Sequence, residues 1–166
     1  MPKAVSDSSV LIHLGVIGRL ELLPALFEAV LVPDAVWQEV VTQGRSKAVV
    51  EKVQAAASHG WLRVETARNA ALMQTLRQNF HAGESEAICL ALEQRADVLL
   101  MDETDGREAA RNLGLSTKGV VGLLIQAKRA GHLAEVRPAM MQLVQSGFYL
   151  SPELIAQALQ EVGEKP

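Results

Sequence analysis

Two short apolar runs in this chain each stop at a carboxylate: Ala4-Val5-Ser6 runs into Asp7, and Val98-Leu99-Leu100-Met101 runs into Asp102. Short runs of this kind, set between segments with helical spacing, read as buried parallel strands. Parallel strands place their carboxyl ends on one rim of the sheet, where α/β proteins hold ligands. Two more acids, Glu39 and Glu86, fall on apolar helix faces that reach the same rim. The pattern predicts both an architecture and a site for a divalent ion.

The apolar period alternates along the whole chain as βα units require. The first strand is predicted over Lys3 to Ser6, with Asp7-Ser8-Ser9 supplying N-cap residues for a helix that carries Val10, Leu11 and Leu14. A longer amphipathic segment follows from Ile17 to Phe27. Ala29 to Val32 reads as strand two, and Pro33 suits the first turn of a helix carrying Val36, Trp37, Glu39 and Val40. Ser46 to Ser58 reads as a helix, Trp61 to Val64 as a third strand, and Asn69 to Asn79 as another helix. Gly83 opens the most apolar helix of the chain, which should be buried on most of its circumference. Asp97 to Met101 is the fourth strand, Thr104 to Leu113 a helix stopped by Gly114, and Leu115 to Thr117 a short fifth strand. Gly119 to Ala130 and Leu133 to Gln145 read as helices and Gly147 to Leu150 as a brief extended piece. Ser151-Pro152-Glu153 starts a final helix. Strands joined through helices imply right-handed crossovers. The expected fold class is therefore α/β, a three-layer α/β/α sandwich on a mostly parallel sheet of about five strands.

At 166 residues the chain fits one domain, with 133–166 as a C-terminal helical extension. Although 49% of its residues are hydrophobic, its apolar stretches fall well short of the roughly 20 residues a membrane span needs. Met1-Pro2-Lys3 leads straight into a strand without a signal-like apolar region. Cys89, the one cysteine, sits between Ile88 and Leu90 and reads as core. A cytoplasmic protein is expected. The formal net charge of -3 gives no general attraction to nucleic acid. The sign is uneven, however: between Arg107 and Arg129, Arg107, Arg111, Lys118, Lys128 and Arg129 face a single acid, Glu108. Arg45, Lys47 and Lys52 form a smaller cluster. Solvated helix faces are the ordinary reading of both, with phosphate contact as the second.

Geometry sorts the acids. Asp7 and Asp102 are strand-end residues, Glu39 borders the buried face of its helix, and Glu86 heads the helical row that contains Leu90. Glu84 is turned about 200° around the helix from Glu86 and is expected to face elsewhere. Each acid alone has an ordinary explanation as a helix cap or surface residue. Four converging carboxylates would repel, raising pKa values, unless a cation joins them. Oxygen ligands without His or Cys favour Mg²⁺ or Mn²⁺ over zinc.

At these residues the chain resembles a family. Asp7-Ser8-Ser9, Val32-Pro33 with Val36 and Glu39-Val40, Gly83-Glu84-Ser85-Glu86-Ala87-Ile88, and Leu99-Leu100-Met101-Asp102 with Gly106-Arg107 resemble the PIN domain. The likeness is to its prokaryotic, DUF3368-like branch, similar to the toxin ribonucleases of VapBC-type toxin-antitoxin pairs. It runs in motif order from about Lys3 to Gly131, and Phe148 to Gly163 is similar to that branch's tail. The resemblance implies a metal-dependent endoribonuclease that hydrolyses RNA phosphodiester bonds with Mg²⁺ or Mn²⁺. Its catalytic metal ligands, carried onto this chain, are Asp7, Glu39, Glu86 and Asp102. It also implies RNA as substrate and an antitoxin protein as partner. One departure is Met101, where many PIN domains place the Thr of a Thr-x-Asp sequence. The last ligand is then Asp102, Glu103 or the more remote Asp105. Ser9 either hydrogen-bonds to Asp7 or simply starts the helix. His13 and His81 read as local hydrogen-bonding residues near the rim, and Arg107 and Lys118 as phosphate positioners or solvated charges. A homodimer is expected through the first-helix region and Met140-Met141, both of which also fit a core. Two alternatives stand beside the nuclease. One is a non-catalytic PIN-like interaction module. The other is a Mg²⁺-dependent phosphohydrolase with Asp7 as nucleophile, weakened by Ser9 where a second Asp would stand.

Overall fold

Five short segments pair into one sheet, whose three central strands are apolar and buried on both faces. They are β1 (Lys3–Ser6), β2 (Ala29–Val32), β3 (Leu62–Val64), β4 (Val98–Leu100) and β5 (Thr117–Lys118). A computed structural model describing all 166 residues places them in the order β3-β2-β1-β4-β5, every neighbouring pair parallel. Val5 lies opposite Leu31 on one side and Leu99 on the other. The two-residue period of a strand then divides the core. Ala4, Val30, Val32 and Leu100 enter a larger cluster on one face; Val5, Leu31, Leu99 and Met101 enter a smaller one on the other.

The larger cluster is covered by α1 (Ser8–Val16), α2 (Leu22–Leu26), α4 (Lys47–His59), α8 (Val120–Arg129), α9 (Val136–Gln145) and α10 (Pro152–Glu161). The smaller is covered by α5 (Ala70–Leu76), α6 (Ala82–Glu93) and α7 (Thr104–Asn112). Between β2 and α4, α3 (Asp34–Trp37) runs directly into a π-helical turn over Gln38–Thr42. The result is a three-layer α/β/α sandwich. None of its helices is long and apolar enough to cross a membrane.

Three local expectations change. The segment Ile17 to Phe27 holds only the short α2, because Gly18 turns the chain at φ 70°; its apolar residues still enter the core. Gly147 to Leu150 is a connecting segment without strand pairing, and β5 lies at Thr117–Lys118, one residue beyond the expected end. Met140 is fully buried, so the Met140-Met141 pair is part of the core instead of an exposed interface.

The C-terminal helices complete the core: Val136, Met140, Leu143 and Leu159 all pack into the larger cluster. Glu164 pins their ends, accepting from Val136 N–H at 2.7 Å, from Arg137 N–H at 3.1 Å and from Lys128 Nζ at 2.9 Å. Strands β1, β2 and β3 step outward to one side, after which the chain returns to place β4 and β5 on the other side of β1. The sheet therefore has its topological switch point between β1 and β4, where a crevice opens beyond the carboxyl ends. Asp7 and Asp102 follow those two strands.

Candidate metal centre

Asp7 leaves β1 with its N–H donating to Leu100 O at 3.0 Å, which holds it at the strand end beside β4. Its side chain caps α1, accepting from Val10 N–H at 3.2 Å, while the Ser9 hydroxyl lies 2.8 and 2.9 Å from its two oxygens. A carboxylate held only by such donors would have a lowered pKa. Asp7 behaves oppositely. Only 3% exposed, it is pushed up to about 7, chiefly by burial and further by the charges of Asp102 and Glu84, against the Ser9 and Val10 hydrogen bonds.

Asp102 follows β4 with Met101 turned inward, so that the methionine in place of the expected threonine packs in the core against Gly106. One Asp102 oxygen accepts from Val120 N–H at 2.7 Å, at the start of α8; the other lies 2.9 Å from His13 Nδ1. Gly119 permits this approach, since a Cβ there would meet Asp102 Oδ1 at 2.8 Å. Glu103 caps α7, accepting from Gly106 N–H at 2.6 Å, and Asp105 stands exposed in the first turn of that helix.

Glu39 is carried by the π-helical turn, a geometry that re-aims side chains and recurs at functional sites. Ser8 Oγ donates to its Oε2 at 2.6 Å, so adjacent serines hold two different acids. The Glu39 carboxylate lies over Gly83, where a Cβ would come within 2.5 Å of Oε1.

Glu84, not Glu86, joins this group. Glu84 is 8% exposed, and its pKa is raised by burial and by the charges of Glu103 and Glu39, partly offset by His81. His81 stands between two acids, Nε2 at 3.2 Å from Glu84 Oε1 and Nδ1 at 3.6 Å from Glu39 Oε1. Nδ1 accepts from Glu84 N–H, which assigns the proton of the neutral ring to Nε2. Glu86 points to the α3 side, its Oε1 accepting from Ala35 N–H at 3.2 Å. The structure thus brings Asp7, Glu39 and Asp102 to the rim with Glu84 and leaves Glu86 as a cap of α3. The reason is that most of the circumference of α6 is buried: Ile88 and Leu90 are both fully buried, so the apolar pattern carries little rotational phase. Packing against β1, β4, α3 and α5 fixes it, with Gly83 taking the Glu39 carboxylate.

Cys89 is also fully buried, its thiol pushed up to about 11 by burial and by the charges of Glu93 and Glu86. It is core, and no nucleophile.

No Lys or Arg forms an ion pair with Asp7, Glu39, Glu84 or Asp102; His13 lies against Asp102, and His81 against Glu39 and Glu84. No three acidic or histidine side chains close on one point as a ready cage, because Ser8, Ser9, His13 and Val120 N–H hold their oxygens. The donor set nonetheless fits a hard cation that keeps most of its waters and takes one or two carboxylates. Asp7 and Asp102, facing each other across the switch point, would hold it, with Glu84 and Glu39 supporting.

Residues 3–164 match the family model DUF3368, described as a PIN domain. The chain matches none of the curated proteins. Among solved structures it is similar to a PilT N-terminus domain protein from the hyperthermophilic archaeon Sulfolobus solfataricus P2. That similarity is 17% in sequence, with a TM-score of 0.49, covering 75% of this chain and 92% of the other.

Proposed function

The chain belongs to the DUF3368 family of PIN domains, a nuclease-type fold that generally works with divalent metal ions, and from that premise we propose that it is a Mg²⁺- or Mn²⁺-dependent endoribonuclease. The observation that carries the reading is Asp7: a buried carboxyl beside Asp102 and Glu84, raised to about 7, with no Lys or Arg to neutralise it. A site that destabilises its own acids is one that gains from a cation. When bound, a divalent cation supplies Lewis acidity toward water and positive charge for the developing phosphorane and leaving oxygen.

The chain's own groups do the positioning. Ser9 fixes the Asp7 carboxylate and Ser8 that of Glu39. His13 orients Asp102 by donating from Nδ1. The expected support is cleavage of labelled RNA that requires Mg²⁺ or Mn²⁺ and is lost in Asp7→Asn. Metal-dependent cleavage that survives this substitution would remove Asp7 from the ligand set.

The aspartyl phosphohydrolase gains no support, since no second Asp stands two residues after Asp7, where the chain has Ser9. The non-catalytic module is countered by the four acids gathered at the rim. Our reading extends to an antitoxin protein as partner, by likeness to toxin ribonucleases. It also extends to a homodimer, supported by Ile12 and Val16, exposed one turn apart on α1.

A further inference from the structure

The wall that contains Asp102 continues into a groove of about 680 Å³, lined by α7, β5, α8, the segment between α9 and α10, and α10 itself. Its charge is unlike that of the chain as a whole. Arg107, Arg111, Lys118 and Arg129 line it, against two acids, Asp102 and Glu161. Arg129 is paired with Glu161 at 3.5 Å, while Arg107, Arg111 and Lys118 have no acidic partner. Lys118 is held by Gln126, its Nζ donating to Oε1 at 2.6 Å. Burial and the neighbouring Arg129 charge hold its pKa below the ordinary lysine value, as expected of cations gathered without a counter-charge.

The same groove is lined by Tyr149, 80% exposed and the most exposed aromatic side chain of the protein. It is not on a loose loop. Phe148 N–H donates to Leu143 O at 3.0 Å, the Phe148 ring packs on His13 with centroids 4.1 Å apart, and Leu150 is buried in the core. Anchors on both sides hold the Tyr149 backbone while leaving its ring in solvent. The same Phe148 contact ties the segment to His13, and through it to Asp102.

We propose that this groove binds a single-stranded stretch of the RNA substrate, with phosphates against Arg107, Arg111 and Lys118 and one base stacked on Tyr149. The proposal rests on the ribonuclease reading and adds the residues of this chain that seat the strand, Tyr149 above all. An exposed ring set among cations matches the two needs of a single strand, charge along the backbone and a face for a base. In an A-form duplex the base faces are covered by their neighbours, so Tyr149 has nothing to stack on.

The test is binding without catalysis. Fluorescence anisotropy in EDTA, with a labelled twelve-nucleotide RNA free of self-pairing and a blunt duplex of the same sequence, separates the two substrate forms. Tyr149→Ala is expected to weaken single-strand binding by about 5- to 150-fold, the range for loss of one stacked base. Tyr149→Phe should stay near wild type, and duplex binding should not change. Arg111→Gln should lower the slope of log affinity against log salt by about 0.7, whereas Tyr149→Ala leaves that slope as it was. Equal single-strand binding by wild type and Tyr149→Ala, equal weakening of the duplex, or no binding of the single strand by wild type would overturn the proposal. Binding that follows this pattern without Mn²⁺-dependent cleavage would instead overturn the ribonuclease reading and leave the groove assigned. Cleavage by a protein whose binding ignores Tyr149 would do the reverse.

Discussion

Glu86 Oε1 accepts a hydrogen bond from the Ala35 N–H at 3.2 Å, so this carboxylate serves the first turn of α3. Glu84, two residues earlier on α6, is buried among Glu39, Glu103 and His81. Their substitutions should therefore separate. Glu84→Gln is expected to lower Mn²⁺-dependent cleavage roughly 100-fold, the upper end of what loss of a supporting metal-site group costs. Glu86→Gln should keep cleavage within a few-fold and cost about 1 kcal/mol or less of stability, as for a weakened cap. Initial cleavage rates and urea melts of the two variants check this.

Asp7 sets a pH dependence of stability whose sign is opposite to that of an ordinary acidic cap. Its ordinary value is 3.8 and its value in the fold is about 7, so between these the native state holds a proton that the unfolded chain has released. Stability from this group falls as pH rises through that window, and the full penalty applies above it. Asp7→Asn removes the penalty and keeps a side chain that can cap α1. In EDTA the variant should melt with wild type near pH 4 and several degrees above it at pH 8. Added Mg²⁺ should raise wild type at pH 8 and leave the variant unmoved. Thermal melts at the two pH values, with and without metal, give the answer.

Gly83 lets the Glu39 carboxylate lie against α6, and a Cβ there would meet Oε1 at 2.5 Å. Gly83→Ala should move that carboxylate and lower Mn²⁺-dependent cleavage by about 10-fold. Alanine is the better helix former by about 1 kcal/mol, so the melting temperature should hold or rise. Activity and stability moving in opposite directions is the signature to look for, in parallel cleavage and melting assays.

Glu164 fastens α8 and α9 together near the C-terminus. Burial pushes its carboxyl up, but the Val136 N–H, Lys128 and Arg137 N–H outweigh this and hold it below the ordinary value. Its contribution is therefore present above the ordinary carboxylate range and lost as pH falls through the lowered value. Glu164→Gln should destabilise by about 1 to 3 kcal/mol at pH 7, the range for hydrogen bonds to a charged group. The difference should shrink toward pH 3, as urea melts at the two pH values would record.

How far the site can be read from sequence depends on the element that carries each residue. Asp7 and Asp102 end buried parallel strands, and strand ends have one place to go; the alternation of Ala4 with Val5 and of Leu99 with Leu100 between the two faces fixes the rest. Ser9 at Asp7 follows from its helix-start position two residues on. Glu39 reaches the rim through a π-helical turn, which a helical period of 3.6 does not describe. On α6 the period fails for another reason: a helix apolar and buried on most of its circumference has too narrow a polar stripe to show which of Glu84 and Glu86 turns inward. The groove is harder still. Tyr149 shares a groove with Arg107 and Lys118 because α9 and α10 fold back onto α8, an arrangement set by packing of Met140, Leu143 and Leu159 and by no local motif.

The central claim is that Asp7 and Asp102, with Glu84 beside them, hold a divalent ion at the switch point of the sheet. Anomalous diffraction from crystals soaked in Mn²⁺ tests it most directly. A Mn²⁺ peak is expected in contact with carboxylate oxygens of Asp7 and Asp102, absent from Asp7→Asn crystals soaked alongside. A soak that supports RNA cleavage yet leaves this rim without a peak, or that places the ion at Glu86 beside α3, would contradict it.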